Sequence, residues 1–364
     1  MRLWAPPLPE FPWDTIAADV ALARSHPDGA CDLSVGTPVD PTPKIGQRAL
    51  AGAADAHGYP EVWGTPALRA AVCTYVTTRW GAPEPGERSV LPVIGAKELV
   101  AWLPILAGVR PGDTVVIPEI AYPTYAVGAT MAGARVVTAT SPAEVEHESP
   151  VLVWTNSPSN PTGRVDRAAE VRAWIEYARA KGALLAADEC YGEFGWEAEP
   201  VSVLDARVNG GTLDGLLGVY SLSKRSNLAG YRAGFVVGDS EVVQALLGLR
   251  KHLGMMVAAP VLAAMTALLH DQTHVDGQRT RYAARRAVLS KALVAAGFVI
   301  DCSEAGLYLW ATRGEPGRRT ARWLAERGII VAPGDFYGDA GARHVRIALT
   351  ATDERIAAAA ARLG

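Results

Sequence analysis

The sequence has few cysteines and no pattern that would pair them. Of its 364 residues only four are cysteines, Cys31, Cys73, Cys190 and Cys302, and none forms a Cys-x-x-Cys pair or lies at ligand spacing from a histidine. A disulfide framework needs paired cysteines, and a zinc site needs closely spaced sulfur and nitrogen ligands. We therefore expect small buried thiols, with neither disulfides nor a bound metal.

Long hydrophobic runs are also missing. Arg250, Lys251 and His252 interrupt the longest apolar candidate, so it falls short of the about 18 uncharged residues that a membrane-spanning helix needs. The first ten residues are interrupted by prolines and contain no apolar core of a secretory signal. These absences predict a cytoplasmic protein that has no membrane partner.

No block of one charge sign occurs. The chain is 49% hydrophobic and 20% charged, with a formal net charge of -3. Such a balance offers no basic surface for nucleic acid or for an anionic membrane, so small polar molecules are the expected partners. A nucleotide-binding dehydrogenase is disfavoured as well, because no Gly-x-Gly-x-x-Gly opens a helix after a strand.

Short β-branched runs alternate with longer helical patterns in the middle of the chain. The predicted strands are 114–117, 134–138, 151–154, 183–187, 217–220 and 233–237. Several are continuously apolar, which is typical of strands that helices cover on both faces of a mainly parallel sheet. This pattern predicts an α/β fold, and we place a large domain with a mainly parallel mixed sheet over residues 45–274.

The C-terminal part has a different pattern. A long helical stretch from Val242 to Leu269 is expected to break near Pro260. Beyond it, the predicted strands 297–300, 306–310, 328–331 and 344–348 alternate with helices. Because 364 residues exceed what one hydrophobic core usually organises, we predict a smaller α+β domain over residues 275–364. Residues 1–44 are expected to form an N-terminal arm and part of that small domain.

Lys224 lies in the segment Tyr220-Ser-Leu-Ser-Lys-Arg-Ser-Asn-Leu-Ala-Gly-Tyr-Arg232, with Ser221 three residues before it and Arg232 eight after. A lysine amine can join the aldehyde of pyridoxal 5'-phosphate (PLP), while a hydroxyl and a guanidinium hold its phosphate. A lysine between serines is more often a solvated charge. The prediction therefore depends on finding the other contacts of the cofactor elsewhere in the chain.

Further contacts follow predicted strand ends. Asp188 directly follows the run 183–187 and can keep a pyridine nitrogen protonated, and Tyr191 can donate to the ring oxygen. Asn160 lies in a turn with two prolines, which can direct its side chain at the same oxygen. Taken alone, each residue could equally be a helix cap, a core tyrosine or a surface turn. Together they lie where ligands collect, beyond the carboxyl ends of the strands.

The phosphate and the substrate have candidate ligands too. Gly95-Ala-Lys97 indicates a turn into a helix whose free N–H groups favour a phosphate, and Lys97 adds a cation. Tyr122 offers an aromatic face for the pyridine ring. Arg346 lies on the opposite strand face from its two neighbours, and its guanidinium matches a carboxylate bidentately.

These segments, in this order, resemble the class I/II aminotransferases of PLP fold type I. The resemblance covers nearly the whole chain, from Leu33-Ser-Val-Gly-Thr-Pro38 to Arg346. It implies a PLP-dependent transaminase that acts on amino acids and 2-oxo acids. The implied catalytic residues are Lys224, Asp188 and Tyr191. The implied cofactor-binding residues are Tyr59, Gly95, Ala96, Lys97, Tyr122, Asn160, Asp188, Tyr191, Ser221, Lys224 and Arg232.

The resemblance also implies substrate contacts and an oligomer. Gly36, Asn160 and Arg346 correspond to substrate-binding positions, with Arg346 on the α-carboxylate. Tyr59 resembles the residue that reaches the phosphate of the neighbouring subunit, so a homodimer is implied. The chain departs from the family at the phosphate turn, where Gly95-Ala-Lys97 replaces the commoner Gly-Ser start.

Phrases outside the common core are most similar to actinobacterial N-succinyldiaminopimelate aminotransferases of lysine biosynthesis; they include Phe11-Pro-Trp-Asp14 and Gly306-Leu-Tyr-Leu-Trp310. The implied reaction converts glutamate and N-succinyl-2-amino-6-oxopimelate into N-succinyl-LL-2,6-diaminopimelate and 2-oxoglutarate, with ping-pong kinetics. These substrates carry extra carboxylates, so a second pocket cation is expected. The unranked candidates are Lys97, Arg225, Lys251, His252 and Arg313.

Three alternatives remain open. An aminotransferase for aspartate, alanine or an aromatic amino acid would share the same cofactor contacts. A PLP-dependent carbon-sulfur β-lyase would share them too, but would make pyruvate and ammonia from cystathionine without a keto-acid acceptor. A non-catalytic PLP-binding regulator would need an added DNA-binding domain, for which the chain has no room.

Overall fold

The computed structural model describes residues 8–364. The first seven residues of the predicted N-terminal arm lie outside the described residues. Within 8–364 the chain forms thirteen α-helices and thirteen β-strands. No helix in that range is long and apolar enough to cross a membrane.

The strands are β1 (Cys31–Asp32), β2 (Val90–Val93), β3 (Thr114–Pro118), β4 (Arg135–Ala139), β5 (Pro150–Asn156), β6 (Leu184–Asp188), β7 (Leu216–Ser221), β8 (Gly234–Gly238), β9 (Val299–Asp301), β10 (Tyr308–Thr312), β11 (Ile329–Ile330), β12 (Ala332–Pro333) and β13 (Val345–Ala348). The helices are α1 (Ala17–Arg24), α2 (Lys44–Gly52), α3 (Pro66–Trp80), α4 (Ala96–Leu106), α5 (Thr124–Met131), α6 (Ala168–Lys181), α7 (Ala206–Asn209), α8 (Leu222–Arg225), α9 (Ser240–Leu253), α10 (Ala259–Leu269), α11 (Thr273–Ala295), α12 (Gly317–Ala325) and α13 (Asp353–Leu363).

A seven-stranded sheet, in the order β2-β8-β7-β6-β5-β3-β4, organises the middle of the chain. Strand β8 runs antiparallel to both β2 and β7, and the remaining neighbours pair in parallel. The predicted α/β fold with a mainly parallel mixed sheet is confirmed. Strand β2 was not predicted, because Pro92 within a short run argues against a strand. The proline is tolerated because β2 is an edge strand that pairs only with β8.

Helices cover both faces of this sheet, which explains the continuously apolar strands. Val116 and Val153 face the side covered by α3, α6 and α10. Their chain neighbours Val115 and Leu152 face the side covered by α4, α5 and α9. Because successive strand residues point to opposite faces, both must be apolar when both faces are buried.

The C-terminal residues build a second, smaller sheet. Its four antiparallel strands run in the order β12-β13-β10-β9, and β1 pairs with β11 in a separate two-stranded sheet. Strands β9 and β10 each begin two residues later than predicted, because Gly297 and Gly306 have φ values of 82° and form the preceding turns. The proposed domain boundaries at residues 44 and 274 stay predictions.

The long helical stretch is interrupted earlier than predicted. Helix α9 ends at Leu253, where Gly254 takes a left-handed conformation with φ 68°. Helix α10 begins at Ala259, and Pro260 lies in its first turn. Proline is favourable there because the first helical N–H groups have no partner within the helix. The break therefore precedes Pro260, and the proline starts the second helix.

Candidate active site

A cleft lies where the carboxyl ends of the large sheet face the four-stranded sheet. It has a volume of about 1600 Å³ including its open mouth. Most of the predicted site residues line it: Gly36, Ala96, Lys97, Tyr122, Asn160, Asp188, Tyr191, Ser221, Lys224, Arg232 and Arg346. The structure thus brings together residues that lie up to 310 positions apart in the chain.

Asp188, the last residue of β6, is buried in the wall of the cleft. The Tyr125 hydroxyl donates to its Oδ2 over 2.9 Å, and the backbone amide of Cys190 donates to its Oδ1 over 3.1 Å. Burial raises the pKa of the Asp188 carboxyl, and the hydrogen bonds from Cys190 and Tyr125 oppose this rise. Within residues 8–364, Asp188 forms no salt bridge. A cationic group bound in the cleft would therefore find an available carboxylate.

Tyr125 was missed in the sequence, although it lies three residues after Tyr122. Tyr122 lies just before α5 and Tyr125 lies in its first turn, and their ring centroids are 6.1 Å apart in an edge-to-face arrangement. A polar tip on a buried aromatic residue needs a hydrogen-bond partner. The pair Tyr122 and Tyr125 was the available signal.

Lys224 lies on the short helix α8, directly after β7. Its Nζ donates to the carbonyl oxygen of Gly36. Burial lowers the pKa of the Lys224 amine, and the nearby Arg346 guanidinium acts in the same direction. The neutral amine, which is the nucleophilic and basic form, is therefore favoured.

An anion-binding corner surrounds the start of α4. Gly95 precedes this helix with φ 78°, and a Cβ there would lie only 2.4 Å from Arg232 Nη2. Only glycine allows both this backbone conformation and this close approach. The amides of Ala96 and Lys97, in the first turn of α4, have no partner within the helix and could bind an anion. Ser221 also lines this part of the cleft.

Arg346, on β13, is 2% exposed and reaches the cleft from the four-stranded sheet. Its Nη1 donates to Asn160 Oδ1 over 2.8 Å, and its Nη2 donates to the carbonyl oxygen of Ser34 over 2.6 Å. Its buried Nε has no partner. Asn160 is itself held in place, because its backbone amide donates to Asn156 Oδ1 over 2.8 Å. The guanidinium is oriented and retains a free donor.

Aromatic side chains surround Arg346 and the mouth of the cleft. The Tyr308 ring centroid is 4.0 Å from the Arg346 guanidinium carbon, and the Trp13 ring is 5.9 Å away. Phe11 lines the mouth and lies 5.7 Å from Lys97 Nζ. No functional role was predicted for these three aromatic residues, although two resemblance phrases contain them. Their positions make them candidate substrate contacts.

Tyr59 is a predicted site residue that does not line the cleft of its own chain. It lies in the turn between α2 and α3 and is 97% exposed, outside the cleft of its own chain. A contact with the cofactor of a neighbouring subunit stays a prediction.

The five second-cation candidates separate clearly. Lys97 lines the cleft. Arg225 is buried beside Glu193, with its Nε 3.0 Å from Glu193 Oε1, and Arg313 packs over Trp323 at 4.1 Å. Two others, Lys251 and His252, are exposed residues of α9. Lys97 is thus the one candidate that contacts the cleft in the described part of the chain.

These side chains fit PLP. The corner at Gly95 and Arg232 suits a phosphate, the unpaired Asp188 suits a protonated ring nitrogen, and the Lys224 amine can join an aldehyde. The Arg346 guanidinium, which lines the cleft, suits a substrate carboxylate. The fold and the site together define a PLP enzyme of fold type I.

The chain belongs to the aminotransferase class I and II family, whose model matches residues 29–363. A probable aminotransferase of Mycobacterium tuberculosis is 60% identical over 356 residues, which are 98% of this chain and 85% of that protein. The 4-dedimethylamino-4-oxo-anhydrotetracycline transaminase OxyQ of Streptomyces rimosus is 56% identical over 98% of this chain and 99% of that protein. An aminotransferase of Neisseria meningitidis has a TM-score of 0.88 at 28% identity, covering 98% of this chain and 97% of that one. The predicted family and cofactor are confirmed.

Proposed function

We propose that this aminotransferase transfers an amino group from glutamate to N-succinyl-2-amino-6-oxopimelate, forming 2-oxoglutarate and N-succinyl-LL-2,6-diaminopimelate. The supporting observation is the charge of the cleft, whose lining contains Lys97, Lys224, Arg232 and Arg346 against the single carboxylate of Asp188. The cofactor would use Lys224 and Arg232. Two cations remain, which fits substrates with two or more carboxylates.

Each wall of the cleft has a role in this proposal. When bound, PLP supplies an aldehyde that takes up the amino group and a ring that stabilises the electrons left when the α-proton departs. Asp188 would keep the ring nitrogen protonated, and Asn160 and Tyr191 would hold the ring oxygen. Tyr122 would offer its aromatic face to the ring. Gly95, Ala96, Ser221, Arg232 and the backbone amide of Lys97 would surround the phosphate, which leaves the side chain of Lys97 for the substrate.

Arg346 binds the α-carboxylate of the substrate with its guanidinium, whose orientation is held by Asn160 and Ser34. This contact places the α-carbon near Lys224. Nζ of Lys224 then accepts the α-proton; the lowered pKa of this amine increases the share that is neutral and able to accept it. Gly36 lines the cleft beside the substrate, and its carbonyl oxygen accepts a hydrogen bond from Lys224 Nζ.

We also propose a homodimer in which Tyr59 contacts the phosphate in the site of the other subunit. The proposal is supported by the position of Tyr59, a large aromatic residue that is almost fully exposed in the single chain. An unburied aromatic residue is typical of a surface that a partner covers.

A single-turnover absorbance titration of the purified holoenzyme tests the substrate. Glutamate, N-succinyl-LL-2,6-diaminopimelate, aspartate and alanine are added separately, and conversion of the cofactor to its amino form is followed. We expect rapid conversion by the first two only. Conversion by a different pair would retain the aminotransferase and discard this substrate. Pyruvate and ammonia released from cystathionine without an acceptor would instead indicate a β-lyase.

A matched pair of lysine variants tests the second cation. Lys97→Gln removes the cleft cation, and Lys251→Gln removes an exposed cation of α9. We expect the KM for glutamate to rise by roughly tenfold in Lys97→Gln, because a charged hydrogen bond is lost. The KM should stay unchanged in Lys251→Gln. An unchanged glutamate KM in Lys97→Gln would remove Lys97 from the substrate site.

A second candidate function is amination of a tetracycline-like ketone. It is favoured by the 56% identity to the Streptomyces rimosus transaminase and by the aromatic residues Phe11 and Trp13 at the mouth of the cleft. Polycyclic substrates stack on such rings. The amino form of the holoenzyme should be mixed in parallel with 4-dedimethylamino-4-oxo-anhydrotetracycline and with N-succinyl-2-amino-6-oxopimelate. The ketone that returns the cofactor to its aldehyde form faster identifies the function.

A further inference from the structure

We propose that Tyr308 is a positioning residue that joins the two walls of the cleft: its ring holds the Arg346 guanidinium, and its hydroxyl orients Tyr191. The inference rests on the proposed function, in which Arg346 binds the substrate carboxylate and Tyr191 the ring oxygen of PLP. It deepens that function by linking the substrate contact to the cofactor contact through one side chain.

The geometry of Tyr308 supports both contacts. Its ring centroid lies 4.0 Å from the guanidinium carbon of Arg346, within the range of a cation–π interaction. Its hydroxyl lies 3.0 Å from the hydroxyl of Tyr191, and the two rings meet edge to face with centroids 5.6 Å apart. Tyr308 is 3% exposed. Both contacts are therefore shielded from water, where such interactions are stronger.

The backbone fixes the distance between the two tyrosines. The segment after Tyr191 and the segment before Tyr308 are joined, because the amide of Gly306 donates to the carbonyl oxygen of Phe194 over 2.8 Å. The indole of Trp196 donates to the carbonyl oxygen of Gly306 over 2.8 Å. The hydroxyl pair thus spans the large sheet and the four-stranded sheet at a point where the two are tied together.

The segment after β1 that carries Gly36 passes beside the same hydroxyl. A Cβ on Gly36 would lie 1.9 Å from Tyr308 Oη, so the backbone passes directly beside it. The carbonyl oxygen of Gly36 accepts a hydrogen bond from Lys224 Nζ. Tyr308 consequently contacts Arg346 and Tyr191, and it lies beside Gly36, the residue that accepts a hydrogen bond from Lys224.

The hydroxyl pair has a chemical consequence. Tyr191 has one hydroxyl proton, and when it donates that proton towards the ring oxygen, its own oxygen can accept from Tyr308. A hydrogen bond that Tyr308 donates to the Tyr191 oxygen polarises the Tyr191 O–H bond. The hydrogen bond that Tyr191 itself donates to the ring oxygen then becomes stronger. The negative form of the ring oxygen is then better stabilised. Removing the Tyr308 hydroxyl should make this oxygen hold a proton to higher pH.

Other ionisable groups face the two tyrosines from every side. They are Tyr125 of α5, Asp188 at the end of β6, Lys224 of α8, Tyr282 of α11, Tyr337 between β12 and β13, and Arg346 of β13. Replacing Tyr308 by phenylalanine changes none of these groups and keeps the ring in place. A change in proton affinity can therefore be assigned to the hydroxyl.

The test compares the absorbance of three holoenzymes as a function of pH. In Tyr308→Phe, the midpoint pH of the cofactor absorbance change should rise by about 0.5–1 unit, as expected for the loss of one buried hydrogen bond. The KM for glutamate should change less than about twofold, because the ring is kept. In Tyr308→Leu, the midpoint should rise equally and the KM should rise by roughly five- to tenfold, because the cation–π contact is lost as well.

Tyr337→Phe is the matched control. Its ring lies 5.1 Å from Arg346, and its buried hydroxyl has no hydrogen-bond partner, so the midpoint should stay at the wild-type value. An unshifted midpoint in a folded Tyr308→Phe protein would overturn the proposal, and so would an equal shift in Tyr337→Phe. If glutamate fails to convert the wild-type cofactor while the midpoint still shifts in Tyr308→Phe, the substrate assignment fails and the orientation of Tyr191 by Tyr308 stands.

Discussion

The two walls of the cleft are held in different ways. On the large-sheet wall, made by Gly95, Asp188, Ser221 and Lys224, the supports include a local one: the Cys190 amide binds Asp188 two residues before it, in addition to Tyr125, which binds Asp188 across 63 positions. On the small-sheet wall, made by Tyr308 and Arg346, they are distant: Arg346 binds Ser34 across 312 positions of the chain. Chemistry on the cofactor is assigned to the first wall, and recognition of the substrate to the second.

This difference gives a rule that kinetics can test. Changes on the large-sheet wall should lower kcat, because they remove interactions that matter in the transition state. Changes on the small-sheet wall should raise KM, because they remove binding of the substrate in its ground state as well.

The largest effect is expected for Lys224→Ala. Loss of the amine that holds the cofactor and moves the α-proton should lower kcat by about 10⁴-fold or more. The far-ultraviolet circular dichroism and the melting temperature should show a folded protein, and Lys251→Ala should keep full turnover. Substantial residual transamination in Lys224→Ala would contradict the assignment.

Asp188→Ala should follow, with kcat lower by roughly 10²–10³-fold, because a buried charge that stabilises the transition state is lost. Single-turnover absorbance measures the rate of the chemical step directly. Glutamate binding should change far less than this rate. A near-wild-type rate would show that another group protonates the ring nitrogen.

Arg346→Lys tests the other wall. A lysine retains the charge but loses the bidentate fork, so the KM for glutamate should rise by roughly 10- to 100-fold while kcat falls little. Arg343→Lys, on an exposed residue of the same segment, serves as the control. A large loss of kcat with an unchanged KM would break the division between the two walls.

Tyr59→Phe should weaken the retention of PLP by about tenfold without a large change in kcat, because one hydrogen bond to the phosphate is removed. Equilibrium dialysis of the dimer measures this loss. Mixed dimers sharpen the test, with Tyr59→Phe in one subunit and Lys224→Ala in the other. If Tyr59 acts across the interface, one of the two sites has both native residues. If Tyr59 acts within its own subunit, neither site has both.

The smallest effect is expected for Tyr125→Phe. The variant removes the 2.9 Å hydrogen bond to Asp188 Oδ2, which would raise the pKa of that carboxyl further. The rate of the chemical step should fall by about three- to tenfold, most strongly at the acidic end of the pH profile. A profile identical to that of the wild type would show that the Cys190 amide alone suffices.

The large-sheet wall could be predicted from the sequence because its signals are local. A strand that is apolar on both faces, followed by a polar residue, places Asp188 and Lys224 at the same edge of a parallel sheet whatever the rest of the chain does. The helix start at Gly95 is equally local, since it depends on the first turn of α4. Edge strand β2 was not predicted, because its local sequence contains a proline and its pairing partner β8 lies about 140 positions away.

The sequence by itself thus determined the fold class, the family, the cofactor and the residues that follow its strand ends. Only the tertiary structure decided that Tyr125 supports Asp188, that Lys97 is the candidate cation in the cleft, and that Tyr308 lies between Arg346 and Tyr191. These contacts join segments that are far apart in the chain. Periodicity and local motifs specify each segment, but the distance between two segments is set by how whole layers pack.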